Sequence, residues 1–113
     1  MSAITTHVLD TARGRPAAGM LVVLEKEAGG KWSEIGRGVT DTDGRVKALL
    51  APGASVSAGV HRLTFATGPY FAHQDVATFY REVNVVFTIT DPAQHHHVPL
   101  LLSPFGYSTY RGS

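Results

Sequence analysis

The segment His95-His96-His97-Val98-Pro99-Leu100-Leu101-Leu102-Ser103-Pro104 runs three imidazoles directly into an apolar block. Side chains along a strand alternate between its two faces. In that register Val98, Leu100 and Leu102 share one face, while His95, His97, Pro99 and Leu101 share the other. The first set reads as core. The second places two histidines side by side on a face that something else must cover if Leu101 is not to sit in water.

Working outward, residues 82–90 carry the clearest alternation in the chain. Val83, Val85, Phe87 and Ile89 point inward and Asn84, Val86, Thr88 and Thr90 outward, until Asp91-Pro92 ends the run. Residues 59–67 read as a strand with His61, Leu63 and Phe65 on one face. Gly68-Pro69-Tyr70-Phe71-Ala72-His73-Gln74-Asp75 breaks the alternation and has room for a turn or two of helix, with Pro69 suited to its first position. Residues 32–39 read as a strand, and Thr40-Asp41-Thr42-Asp43-Gly44 is a turn, because Asp-Gly accepts the positive φ of a tight reversal. Arg45 then leads a short segment, 45–50, closed by Pro52-Gly53. Met20-Leu21-Val22-Val23-Leu24 is apolar throughout, as expected of a strand buried on both faces, and a hairpin at Gly29-Gly30 follows it.

Near the start, residues 4–9 alternate Ile4, Thr6 and Val8 against Thr5, His7 and Leu9, before the reversal Asp10-Thr11-Ala12-Arg13-Gly14-Arg15-Pro16. Past the opening segment, the spacing of Phe105, Tyr107 and Tyr110, with Gly106 among them, favours an ordered tail. About seven or eight short strands, punctuated every 8 to 12 residues or so, predict an all-β sandwich.

With 113 residues the chain fits one domain over residues 1–113, and at this size roughly 65% of the unfolded surface is buried on folding. Charged residues make up 17%, against about 25% in ordinary soluble domains, which points to surface covered by other subunits. The net charge is +1 and no Lys/Arg block occurs, so no nucleic-acid partner is expected. No apolar run approaches the roughly 20 residues of a membrane span, and the start Met1-Ser2-Ala3-Ile4-Thr5-Thr6-His7 lacks the features of a secretory signal. No membrane partner and a cytoplasmic location are therefore expected. The absence of cysteine rules out disulfides and thiolate chemistry.

Candidate chemistry rests on six histidines, at 7, 61, 73, 95, 96 and 97. Histidine exchanges protons near neutral pH without large tuning. His7 and His97 each lie on the strand face away from their own core residues, so both can converge on a cavity outside the sandwich, although an edge-strand surface position also accounts for His7. His95 to His97 read alternatively as a solvated strand end or as an incidental metal site, but no cysteine or nearby carboxylate completes a ligand set, so no metal is expected. Arg45 reads alone as a surface cation. Beside an imidazole it would favour the neutral base and stabilise an oxyanion, a combination suited to hydrolysis of a cyclic amide. Ser103, Ser108 and Ser113 lack a nucleophile-elbow context.

The motif His-x-His-Val-Pro-Leu-Leu-Leu-Ser-Pro, the terminal Tyr110-Arg111-Gly112-Ser113, Thr6-His7-Val8-Leu9-Asp10 with Gly14-Arg15-Pro16-Ala17, and Thr42-Asp43-Gly44-Arg45 together resemble the 5-hydroxyisourate hydrolases, the enzymatic branch of the transthyretin-like family. The resemblance implies a transthyretin-like (prealbumin-like) sandwich of two four-stranded sheets with one short helix. It implies a homotetramer whose active sites lie at the dimer–dimer interface, with catalytic His7, Arg45 and His97, and Ser108, Tyr110 and Arg111 also at the substrate. The tail of a neighbouring subunit would close the pocket. The reaction implied is hydrolysis of 5-hydroxyisourate to 2-oxo-4-hydroxy-4-carboxy-5-ureidoimidazoline in urate degradation, without a cofactor. Arg81 stands where relatives commonly have proline and His96 where they often have an aromatic residue. The competing expectation is a transthyretin-like carrier of a small aromatic ligand, and the order of residues does not assign base and acid between the two histidines.

Overall fold

Val98, Leu100 and Leu102 are 7%, 0% and 2% exposed, and Ile4, Thr6 and Val8 are equally inaccessible, so the two strands share one inward face. A computed structural model, describing residues 3–112, places these strands side by side. The elements are β1 (Ile4–Asp10), β2 (Arg15–Pro16), β3 (Leu21–Ala28), β4 (Lys31–Val39), β5 (Gly59–Phe65), α1 (Thr67–Ala72), β6 (Val83–Ile89), β7 (His96–Ser103) and β8 (Gly106–Thr109). They form two four-stranded sheets, ordered β2-β1-β7-β8 and β4-β3-β5-β6. No helix among the described residues is long and apolar enough to cross a membrane.

β1 and β7 pair in parallel from Ile4↔His96 to Asp10↔Leu102. Both strands alternate with the same phase, so this register sends Ile4, Val8, Val98, Leu100 and Leu102 together into the core and leaves Leu9 and Leu101 half-buried on the other face. The inward Thr6 hydroxyl is satisfied by donating to the Val98 carbonyl at 2.7 Å. The opposing sheet supplies Val22, Leu24, Leu63, Phe65, Val83 and Ile89. Fully burying an aliphatic or aromatic side chain of this kind contributes about 1.5–3 kcal/mol. Below the sandwich, Tyr70 of α1 donates its hydroxyl to buried Asp10 at 2.8 Å, and the Arg13 amide donates to the same carboxylate at 3.1 Å.

Four expectations are revised. Val22 and Leu24 are buried but Leu21 and Val23 are only half-buried, because β3 faces a second sheet on one side alone. Residues 45–50 form no strand: isolated bridges at Arg45 and Leu50 flank buried Val46 and Leu49, which fill the core as a crossing segment. The helix starts at Thr67, making Pro69 its third residue; the proline still lies in the first turn, where amide hydrogens have no intrahelical acceptor. The reversal after β1 contains the two-residue strand β2, paired through Leu9↔Pro16 and Asp10↔Arg15.

His61 is completely buried on the inner face of β5 and stacks on Phe87, with ring centroids 5.8 Å apart. Its Nδ1 lies 3.0 Å from the Gly59 carbonyl. A carbonyl only accepts, so Nδ1 carries the hydrogen and Nε2 is left bare, without a partner. Burial, the largest cause, holds this imidazole below its ordinary pKa, and nearby Lys26 and His96 act in the same direction. The folded chain thus refuses a proton that the unfolded chain accepts below about pH 6.5, and stability falls as pH drops through that value but is flat above it. We expect the melting temperature to decline between pH 7.5 and 5.5, and His61→Leu to flatten that decline. Equal slopes in the two proteins would remove His61 as its cause.

Candidate active site

The turn before Arg45 is built by one aspartate. The Asp41 carboxylate accepts from the amides of Asp43 at 2.9 Å and Arg45 at 3.1 Å, while the Gly44 amide donates to the Asp41 carbonyl at 2.9 Å. These donors, the Arg45 amide foremost, hold the Asp41 carboxyl below its usual range. Gly44 sits at φ +77°, and its carbonyl accepts from the Val8 amide at 2.8 Å. The turn is thereby fastened to β1, and the next residue, Arg45, forms an antiparallel bridge with His7.

His97 reaches the same place from β7, where it lies opposite Thr5. The Thr5 hydroxyl is 2.8 Å from His97 Nδ1 and 2.9 Å from His95 Nε2. Burial pushes the His97 imidazole below its ordinary pKa; the Arg45 guanidinium, His95 and His7 add to that effect, and a hydrogen bond with the Thr5 backbone opposes it. The cation and the other two imidazoles therefore act on one half-buried ring and shift it toward the neutral form, the form a base requires. The tail completes the arrangement. The Gly112 amide donates to the His97 carbonyl at 2.9 Å, and a Cβ on Gly112 would lie 2.5 Å from His97 Cδ2. Glycine lets the tail backbone lie directly against the imidazole.

Of the six residues expected at the site, His7, Arg45 and His97 are thus gathered on the outer face of the β2-β1-β7-β8 sheet. Ser108 is paired with Leu101, on the same face as His97. That level lies four residues further along β7, about 13 Å at the usual strand rise. Tyr110 and Arg111 line a cavity of about 240 Å³ together with His97, Val85 and Phe87. The Arg111 guanidinium donates to Gln94 at 3.2 Å. Ser113 lies outside the described residues.

His96 turns to the inner face, 5% exposed, and so parts company with His95 and His97. No group of three or more histidine, cysteine, aspartate or glutamate side chains is gathered for a metal ion among the described residues. A larger cavity of about 520 Å³, between Arg13, Arg15, Tyr70 and His73, contains none of the six. Sequence reasoning missed Thr5 and the packing role of Gly112. Alternation had put Thr5 on the face of His7, but only the β1–β7 register sets it opposite His97.

A β-sandwich with two imidazoles and a guanidinium assembled on the outside of one sheet is a scaffold for proton transfer beside a fixed positive charge. Residues 4–112 match the family model described as HIUase/Transthyretin family. The 5-hydroxyisourate hydrolase of Salmonella typhimurium is 46% identical over 110 residues, which are 97% of this chain and 80% of that protein. The structure of Klebsiella pneumoniae 5-hydroxyisourate hydrolase aligns with a TM-score of 0.84 and 36% identity, covering 97% of this chain and 98% of that one. Sea bream transthyretin in complex with thyroxine aligns with a TM-score of 0.91 and 32% identity, covering 98% and 95%. The chain belongs to the HIUase/Transthyretin family.

Proposed function

We propose that the protein hydrolyses 5-hydroxyisourate, the product of urate oxidation, to 2-oxo-4-hydroxy-4-carboxy-5-ureidoimidazoline, with water as nucleophile and no cofactor. The observation that carries this reading is the meeting of His7, Arg45 and His97 on one face. One imidazole takes a proton from water and the resulting hydroxide oxygen bonds to the ring carbonyl carbon. The Arg45 guanidinium faces the charge that develops on the carbonyl oxygen. The carbon–nitrogen bond then breaks and the other imidazole delivers a proton to the departing nitrogen, so one water is consumed. The activity is assigned to the cytoplasm as part of the same reading.

In this reading the molecule is a homotetramer with its sites at the dimer–dimer interface, and Ser108, Tyr110 and Arg111 contact substrate there. Exposed Phe105 (69%) and Tyr110 (57%) support burial of the tail region by another subunit. Such an arrangement also accounts for the distance of Ser108 from His97 within one chain.

The likeness to a thyroxine-bound transthyretin favours a second reading, a carrier of a small aromatic ligand in the same channel. The two are separated by generating 5-hydroxyisourate from urate with urate oxidase and following its ultraviolet decay. Decay is expected to accelerate in proportion to added protein. A rate unchanged by the protein would favour the carrier.

A further inference from the structure

The Thr5 hydroxyl stands between two imidazoles, 2.8 Å from Nδ1 of His97 and 2.9 Å from Nε2 of His95. A hydroxyl has one hydrogen to donate, so where it donates to one ring it accepts an N–H from the other. The three groups therefore form a directed chain, and its direction decides which nitrogen of His97 is bare. Exposure differs sharply along it: His97 is half-buried whereas His95 is open to solvent.

We propose that His95, Thr5 and His97 form a proton relay in which His97 Nδ1–H donates to Thr5 and the Thr5 hydroxyl donates to His95, leaving His97 Nε2 as the base that takes the proton from water. This rests on the hydrolase reading and assigns its base. Nε2 gains a hydrogen from the attacking water, Nδ1 passes its own to the Thr5 oxygen, and the Thr5 hydrogen moves to His95 Nε2. His97 ends neutral in its other tautomer, Thr5 is unchanged, and His95 carries the positive charge.

The electrostatics favour that direction. An imidazolium at position 97 would sit in a half-buried place beside the Arg45 guanidinium, where charge is penalised by burial and by repulsion. Moving the proton to His95 puts the charge in water, where solvation is strongest and exchange with solvent is direct. The charged or titratable groups around His97 are His7 from β1, Arg45 from the turn before it, His95 just ahead of β7, His96 beside it on β7, and Tyr110 and Arg111 beside the tail glycine. Thr5 and His95 are thus positioning residues, acting through His97.

The test uses the intact protein with Thr5→Val, Thr5→Ser and His95→Gln. Valine keeps the β-branched shape that a strand favours and removes only the hydroxyl. Thr5→Val is expected to lower kcat roughly tenfold or more, part of what general base catalysis supplies, with KM little changed. Thr5→Ser should restore kcat to within about twofold of the native value. His95→Gln, which hydrogen-bonds but does not take up a proton, should lower kcat and change the acid limb of its pH profile. Nitrogen-15 NMR of the imidazoles supplies a readout independent of turnover: native His97 should carry its hydrogen on Nδ1, and Thr5→Val should lose that preference. Native-like kcat in Thr5→Val, an equal loss in Thr5→Ser, an unaltered pH profile in His95→Gln, or a native hydrogen on Nε2 would each overturn the relay. If the native protein leaves 5-hydroxyisourate untouched, the hydrolase reading fails by that result, and the tautomer measurement still decides the direction of the hydrogen bonds.

Discussion

Replacing His97 by asparagine is expected to lower kcat for 5-hydroxyisourate hydrolysis by about 10²–10⁴-fold, the span that a positioned acid or base contributes, and to leave the fold in place. The separation of the two effects follows from where the ring sits. His97 lies on the outer face of β7, while the core is held by its neighbours Val98, Leu100 and Leu102. Removing the imidazole opens no cavity between the sheets. Its backbone carbonyl, which receives the Gly112 amide, stays available to anchor the tail. Asparagine offers the Thr5 hydroxyl a hydrogen-bonding partner but no group that takes up a proton near neutral pH. The measurement is steady-state turnover beside circular dichroism and thermal melting of the same preparation. A folded variant with native kcat would remove His97 from the chemistry, whereas loss of activity accompanied by a collapsed melt would make its contribution structural.

Gly44→Ala is expected to abolish most of the activity and to destabilise the protein, although residue 44 contributes no side chain. Its φ of +77° lies in the left-handed region, costing a residue with a Cβ roughly 1–2 kcal/mol. The added methyl would also lie 2.3 Å from the Val8 carbonyl and 3.1 Å from Pro16 Cβ. Backbone of β1 is what it strikes, so relief requires the turn to lift from the sheet. That movement breaks the Val8–Gly44 hydrogen bond and carries Arg45 away from His7. Loss of the hydrogen bond and of packing brings the total cost to several kcal/mol. A melting temperature near native together with native turnover would show that the turn tolerates a Cβ and does not hold the guanidinium in place.

The fold was legible because its strands announce their faces. Residues 82–90 carry apolar groups at every second position, and such a pattern has one stable orientation against a core; residues 98–102 are apolar throughout, and the histidines before them set the phase. Residues 45–50 were harder to read: Val46 and Leu49 are spaced by three in a segment that crosses the sandwich, and no strand period governs a crossing. At the site, the alternation of 95–101 and 4–9 correctly sent His97 and His7 to outer faces, and Asp43-Gly44 announced the turn that delivers Arg45. Alternation within a strand is silent about which strand lies alongside. The Thr5–His97 contact and the seat of the tail glycine depend on a pairing between distant segments, so neither could be read from local pattern. The tail residues Tyr110 and Arg111 stood out by type, and within this chain they line a cavity beside His97.

The hydrogen bond joining Thr5 to His97 spans 92 positions, and the strands that carry them are neighbours in one sheet. Contacts so far apart along a chain form late, because the intervening loop must be closed before the pairing returns any energy. During synthesis, the halves of this site leave the ribosome at opposite ends of the message. A nascent chain holding β1 through β6 therefore lacks His97, and Thr5 meets that imidazole only once β7 has docked against β1.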